Sequence, residues 1–510
     1  MKTNSKYLKV AIFATGISGL VAEFILSTLA SYFIGDTIVQ WTIVLSIMLF
    51  SMGIGSQLSK SVKQNLLFTF LLLEFALSLL ISISPLLVYS VAGYTAYIHI
   101  VVYGLASLIG LCIGFEIPLV TRLNEQFESL DKNVSNVMSW DYVGSLIGGI
   151  AFAFWGLPHL GLKNTAFVFG MLNLVVALFL FFVFWNKKIK NRKVISGMAV
   201  FVVLVLSASF LKSDDIIIFG EQKRFKDKVV FVKQSKYQKM VITSWLNHHW
   251  LYINGNLQMT TVDEFLYHEP MIHPIMELSK EHKSILIIGG GDGFNAKELL
   301  KYPDVQTITL VDLDPEMTKL GLEYTPFVMA NDSSLHNSKV KIINTDGFIF
   351  LQKSTSFYDI VIVDLPDAKG VDLNKLYTTQ FYNMAFNHLR PNGFMVTQAG
   401  SPYYATKAFE CISKTMQHSG FKTLKLHNQV LSMGEWGWII GSKSFSREQM
   451  KFALINGNFP KVETRWINQE SIELITSFGK PLIDTTQIKI NTINDPVLYQ
   501  YQLNANWDLY

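Results

Sequence analysis

Cysteine is nearly absent. Two residues, Cys112 and Cys411, stand far apart in 510, which argues against a disulfide framework and fits a reducing compartment or none in particular. Charge is also thin. Only 16% of residues are Asp, Glu, Lys or Arg, and the formal net charge is +4. No basic stripe and no interleaving of aromatic with basic residues occurs, so a nucleic-acid partner is not expected. What the chain has in plenty is apolar length, unevenly spread. The first two hundred or so residues carry long apolar runs, while the remainder has the composition of an α/β protein. A chain of this length exceeds one ordinary domain.

Seven apolar segments can be marked, at about 8–34, 37–58, 65–90, 94–120, 142–161, 165–186 and 194–211. Most reach the ~20 residues needed to cross a bilayer. The first is too long, and too well followed by others, to read as a cleaved signal peptide. Residues 1–211 are therefore expected to form a multi-pass helical bundle in the cell membrane, with six or seven spans. Gly16, Gly19, Gly53, Gly55, Gly148 and Gly149 would let helices approach closely. Lys2, Lys6 and Lys9 precede the first span, Lys60 and Lys63 follow the second, and Arg122 and Lys132 follow the fourth. Lys187, Lys188, Lys190, Arg192 and Lys193 follow the sixth. This bias puts the N-terminus in the cytoplasm. Seven crossings would leave the second half outside. Six, with 194–211 lying in the interface or re-entering, keep it in the cytoplasm, the expected side. Glu23, Glu74, Glu116 and Asp141 fall within or at the ends of spans. They read as packing contacts or helix-end acids, or as a cation path or polyamine cavity.

Residues 212–262 read as a small β domain, with strands at Val229–Lys233, Lys239–Thr243 and Trp250–Ile253 and a hairpin turn at Asn254-Gly255. Next, Asp263, Glu264, Tyr267, His268, Glu269 and His273 crowd together. Two histidines five apart do not match the three- or four-residue spacing of helical metal pairs. No metal is expected, and the stretch reads as a polar wall of a cation-binding cleft.

The rest is organised around Ser284 to Pro315. A β-branched run, Ile285–Ile288, leads to Gly289, Gly291 and Gly293, then to a helix over Asn295–Lys301 and a strand, Thr307–Val311, ending at Asp312. This is the nucleoside-binding βαβ pattern, whose acid takes ribose hydroxyls. Asp292 sits inside the glycine turn. A carboxylate there would repel a pyrophosphate and welcome a cation, which points to a nucleoside with a sulfonium tail. Further strands, Lys339–Asn344, Tyr358–Val363 and Gly393–Gln398, continue a doubly wound sheet, closed by an antiparallel pair at Thr423–His427 and Trp436–Gly441. Asp292, Asp312, Asp346 and Asp364 each follow a different strand at the ligand-binding edge. Asp364 and Asp367 precede a polar loop, Ala368–Thr379, that could close over a site. Glu435 and Trp436 could add a wall, although Trp436 and Trp438 read equally as core. A surplus of acids suits a cationic amine nucleophile. That amine must lose a proton before attacking a carbon next to the sulfonium, and a carboxylate at the end of the fourth strand can accept it.

These residues carry a resemblance. Tyr237-Gln238, the run from Asp263 to Glu269, Gly289 to Gly293, Asp312 to Asp314, Asp346 to Phe348, Asp364 to Asp367, Leu376 to Tyr382 and Gln398 to Tyr404 occur in an order that resembles the polyamine aminopropyltransferases, the spermidine synthase family. With its apolar first half, the chain is similar to that family's multi-pass membrane members. The resemblance covers about 230–445. It implies a Rossmann-like catalytic domain at 263–445, with a C-terminal extension at 446–510. It also implies transfer of an aminopropyl group from decarboxylated S-adenosylmethionine, a co-substrate, to putrescine, giving spermidine and methylthioadenosine. Gln238 would contact the methylthioadenosine part. His268 and Asp292 would hold the polyamine or the aminopropyl amine. Asp312 would bind ribose, and Asp346 and Gly347 would meet adenine. Asp364 would be the proton acceptor, with Tyr267 and Asp367 supporting the amine. Assembly through the second half, as a homodimer or homotetramer, is implied too. Soluble members carry glutamate where this chain has Asp312, and D-S-S-D or D-S-T-D where it has D-L-P-D, a feature of the membrane branch that leaves the acceptor amine open. The competing readings are an S-adenosylmethionine methyltransferase and a membrane polyamine transporter or sensor.

Overall fold

The computed structural model describes residues 2–35, 37–184, 191–457, 459, 461–481 and 483–506. Lys187, Lys188 and Lys190, used above for orientation, lie outside the described residues. The chain divides into two compact units. The first comprises Met1–Trp245 with Ile253–Gly255, and the second Leu246–Tyr252 with Asn256–Tyr510.

The first unit is helical because its apolar runs are long, and Pro85 and Pro118 sit inside α3 and α4 without ending them. Its helices are α1 (Lys2–Ile34), α2 (Thr37–Leu58), α3 (Leu66–Ser90), α4 (Thr95–Asn124), α5 (Leu130–Ala151), α6 (Gly161–Val183), α7 (Arg192–Leu211) and α8 (Ser213–Gln222). Helix α1 packs against α2, α4, α5 and α6, and α3 packs against α6. Small residues set these approaches. A Cβ on Gly148 would come within 2.5 Å of the Ile17 carbonyl oxygen, and one on Gly55 within 2.2 Å of that of Leu111. Gly16, Gly19 and Gly149 are similarly hemmed in, whereas Gly53 faces open space. By length and composition, six helical stretches among the described residues could cross a membrane. The fifth and sixth apolar segments of the sequence fall in one of them, Leu130–Val183. There α5 passes through a wide-turned segment, Phe152–Leu160, before Gly161, at φ +71°, begins α6.

Residues 213–222, expected to open a β domain, are helical because the acids Asp214 and Asp215 start a helix well. Strands β1 (Lys228–Gln234) and β2 (Lys239–Trp245) then pair antiparallel. Lys239 is buried at the start of β2. Its ammonium pairs with Glu221 of α8, donates to the Tyr89 hydroxyl at 2.5 Å and lies 4.0 Å from the centre of the Tyr32 ring. Burial lowers its pKa to about 8, although Glu221 pulls the other way.

Strands β3 (His248–Ile253), all but its last residue in the second unit, and β4 (Asn256–Thr260) are neighbours. The turn between them holds Asn254 and Gly255 at φ 50° and 85°, as the Asn-Gly pair predicts. Helix α9 (Phe265–Leu278) leads into β5 (Ser284–Gly289), α10 (Phe294–Leu300), β6 (Thr307–Asp312), β7 (Val340–Asn344), β8 (Tyr358–Asp364), β9 (Leu389–Gly400), β10 (Lys422–Val430) and β11 (Gly434–Ser442). The seven strands from β5 onward lie in the order β10-β11-β9-β8-β5-β6-β7. Strands β5 to β9 are parallel, and β11 runs antiparallel to both β9 and β10. Alternation along the strands feeds two cores. Ile285, Ile287, Ile360 and Ile362 face one layer, while Leu286, Ile288, Val361 and Val363 face the other. The final residues are not a loose appendage, because Ile467, Ile472 and Ile475 belong to the first of these cores.

Candidate active site

Register decides where the acids go. Gly289 of β5 lies beside Asp364 of β8, and Asp312 of β6 lies beside Asn344 of β7. A Cβ on Gly289 would sit 1.8 Å from the Asp364 carbonyl oxygen, and one on Gly291 would sit 2.6 Å from Asp312 Oδ2. The glycines are therefore what let the turn lie against both acids. Gly289, Gly290 and Gly293 take φ of +86°, +63° and +90°, the region glycine enters without strain.

Asp364 is the centre of the site. Its Oδ1 accepts from the Tyr267 hydroxyl at 2.8 Å, and its Oδ2 accepts from Asn295 Nδ2 at 2.6 Å. His268 Nε2 stands 4.0 Å from the same Oδ2 and has no hydrogen-bond partner. The His268 ring stacks on Phe294 with centroids 5.3 Å apart, and its Nδ1 is 2.8 Å from the Glu264 carbonyl oxygen. Burial disfavours a charge on this ring. Glu264, Asp292 and Asp364 together outweigh that and raise its pKa to about 9. Glu264 is held down in turn by His268 and Lys297 against the effect of its burial, with Lys297 Nζ at 3.0 Å.

The other acids carry strain of a different kind. Burial pushes the Asp292 carboxyl up to about 6 despite His268, and its Oδ1 accepts from the Phe294 N–H at 3.1 Å. Burial, reinforced by Asp314 and Asp292, pushes Asp312 up to about 7. The N–H groups of Gly291 and Asp314, at 3.0 and 2.8 Å, pull it the other way. Asp367 is raised by burial, and its Oδ1 has no partner. Buried carboxylates that raise one another in this way favour a cation.

The structure sorts the expected residues. Tyr267, His268, Asp292, Asp312 and Asp364 come together. Asp346 serves first as a helix cap, accepting from the N–H groups of Phe348 and Ile349, and it pairs with Lys375 at 2.5 Å. Gly347 begins that helix. Lys375 belongs to the polar loop, which folds as two short helical turns, Val371–Asn374 and Lys375–Tyr377. Gln238 lies in the first unit, in the turn between β1 and β2, where its N–H donates to Ser235 Oγ. The single polar wall expected from Asp263 to His273 is divided by the turn of α9. Tyr267 and His268 face Asp364. Glu269 instead accepts from the N–H groups of Arg465, Trp466 and Ile467 at 2.6, 2.9 and 2.9 Å. His273 binds Tyr302 and Glu298, and Asp263 holds Ser432 and Thr260. Glu269, His273 and Glu298 lie close enough to suggest a metal, but their atoms are committed to these partners and to Lys301. Trp438 is buried core against Tyr267, and Glu435 pairs with His427.

Sequence reasoning missed Asn295, whose amide fixes Asp364, and a second relay. Gln398 donates to the Tyr377 hydroxyl at 2.6 Å, and that hydroxyl reaches the carbonyls of Leu365 and Pro366, inside the Asp364–Asp367 stretch. Both residues stood in motifs already noted, yet nothing in a linear motif says which side chain meets which.

A nucleoside-type α/β fold whose strand ends gather several acids is the class this geometry defines. Residues 264–452 match the family described as spermine/spermidine synthase domain. The polyamine aminopropyltransferase of Leptospira interrogans is 35% identical over 97% of this chain and 97% of its own. Polyamine aminopropyltransferase 2 of Aquifex aeolicus is 37% identical over 98% of each. Among solved structures, spermidine synthase from Thermotoga maritima aligns with 49% of this chain and 84% of its own, at 22% identity and a TM-score of 0.43. The chain belongs to the polyamine aminopropyltransferase family, and is an enzyme of that activity.

Proposed function

We propose that the enzyme moves the aminopropyl group of decarboxylated S-adenosylmethionine onto putrescine, with Asp364 as proton acceptor. The observation that carries this reading is Asp364 itself. It is held from two sides by neutral donors, Tyr267 and Asn295, and no lysine or arginine neutralises it among the described residues. A carboxylate positioned by neutral donors, with the His268 ring 4.0 Å away, can take a proton from an incoming ammonium.

The freed amine nitrogen attacks the propyl carbon next to sulfur. A C–N bond forms, the C–S bond breaks, and its electron pair stays on sulfur as methylthioadenosine leaves. The proton on Asp364 passes to solvent. In this reading Asp312 accepts hydrogen bonds from the ribose, Asp292 and His268 hold the aminopropyl amine or the polyamine, and Asp367 supports the acceptor amine. Gln238 contacts the methylthioadenosine part, and Asp346 and Gly347 meet adenine. The acid surplus favours a diamine over a neutral methyl acceptor.

We also infer that the first unit sits in the cell membrane with its N-terminus in the cytoplasm and the catalytic unit on the same side. Supporting this, its helices turn large apolar side chains outward, with Phe50 71% exposed, Phe154 72% and Leu204 64%. A water-soluble surface does not carry so many.

The test is a product assay on the full chain in detergent or lipid, given decarboxylated S-adenosylmethionine and a panel of diamines. Spermidine and methylthioadenosine are expected, and Asp364→Asn should lower kcat by roughly 10²–10⁴. Methyl transfer from S-adenosylmethionine, with no aminopropyl product, would sink the reading.

A further inference from the structure

The first unit contains polar groups that catalysis leaves unused. Glu74 of α3, Glu116 of α4 and Asp141 of α5 come from three helices. Glu116 acts electrostatically on Glu74, and Asp141 on Glu116, so the three form a chain of neighbours. Among the described residues no lysine, arginine or histidine acts on any of them. Helix α1 runs past the group. Thr15 bears on Glu116, and a Cβ on Gly16 would lie 3.0 Å from Asp141 Oδ1.

Clustered acids alone prove little, and the second observation is independent of them. Glu74, Ser78 and Ser82 stand four residues apart on α3 and so line one stripe. All three are fully buried. Both Glu74 oxygens and both serine hydroxyls lack any hydrogen-bond partner, as do Glu116 Oε1 and Asn173 Nδ2. The stripe faces α6, which in turn meets α1. A Cβ on Gly170 of α6 would come 2.0 Å from Ser82 Oγ, and Asn173 of α6 accepts from Ser18 of α1 at 2.7 Å. Buried polar atoms are nearly always partnered, so this many orphans on neighbouring helices call for a polar partner.

The charge of the missing partner follows from the lining, which supplies carboxylates and hydroxyls without a counter-cation. Its shape follows from spacing. A metal ion gathers its ligand atoms within a few ångströms of one another. Among the described residues only Glu269, His273 and Glu298 bring three such atoms within 4.8 Å. Glu74, Glu116 and Asp141 are spread more widely, and the serine stripe extends about 12 Å along α3. An elongated cation with an ammonium at each end fits carboxylates spread in this way. We propose that the helical unit holds a second binding site, separate from the catalytic one, for a protonated diamine or polyamine. The choice of amine rests on the catalytic reading above.

The experiment uses the full chain in lipid nanodiscs, with radiolabelled putrescine as the probe. Equilibrium binding should find two putrescines per chain, and the double variant Glu74→Gln, Glu116→Gln should find one. Because that variant could misfold, a second measurement uses the wild type. Modification of Glu74 by dicyclohexylcarbodiimide, read by peptide mass, should slow at least fivefold in saturating putrescine. A single putrescine per chain, with Glu74 labelling unaffected by it, would overturn the inference. So would protection of Glu74 by sodium or calcium but not by putrescine, which would make this a metal-ion site. Methylthioadenosine release from the same preparation separates the two readings. Release with one bound putrescine fails the second site alone. No release, with Glu74 protected by putrescine, fails the catalytic reading alone.

Discussion

Asp312 and Asp364 stand at the ends of the two strands that flank β5, and they meet different donors. Asp364 meets side-chain donors, Tyr267 and Asn295, that orient it and leave it able to accept. Asp312 meets backbone N–H groups of Gly291 and Asp314, yet burial still lifts its pKa to about 7. A raised carboxyl is protonated below that value, and in that form it is a poorer acceptor for a ribose diol. The apparent KM for the nucleoside co-substrate should therefore rise as pH falls, roughly fivefold from pH 7 to pH 6. In Asp312→Asn the KM should be high throughout and flat with pH. Initial rates across pH 6 to 8.5 measure both. A wild-type KM that does not move in this window would mean that Asp312 is ionised throughout.

At the scale of elements, the turn from β5 to α10 is the least replaceable part of the second unit. Gly289→Ala would place a methyl 1.8 Å from the Asp364 carbonyl oxygen at a φ of +86°. The strands must part or the turn must move, and a loss of several kcal/mol is expected, beyond the ~1–3 of an ordinary strained residue. Chemical unfolding followed by fluorescence checks this, and Gly370→Ala, in open space, serves as the control. This turn was legible in the sequence because an apolar β-branched run and glycines make one statement together. The parallel strands were legible for the same reason. Strand β4 was not, because N-L-Q-M-T carries almost no β-branched signal. Helix α8 was not, because I-I-I-F suits a strand as well as a helix. The site was partly legible. Strand-end acids are placed by topology alone, so Asp292, Asp312 and Asp364 could be found. Which way α9 turns its faces could not, and so Glu269 and His273 were grouped with residues they turn away from.

At the scale of the molecule, the chain joins two kinds of protein. One unit exposes apolar helices, and the other buries its apolar residues in two layers around a sheet. If the first unit lies in a bilayer, washing membranes with alkaline carbonate should leave the chain in the pellet, and only detergent should release it. Release by carbonate would refute the placement. The result is independent of catalysis, since a chain carrying Asp364→Asn should fractionate in the same way.

The clamp on Glu269 has a consequence for how the protein is made. A buried carboxylate on α9 accepts from the backbone of residues 465–467, almost two hundred positions later, and among the described residues no other donor to it is seen. While the ribosome is still translating, every strand and every acid of the site can already be out, and that carboxylate has nothing to bind. The catalytic unit is therefore completed only once residues 465–467 have been made. A premature stop between Ser442 and Arg465 would yield a chain with its whole active site encoded and its fold unfinished.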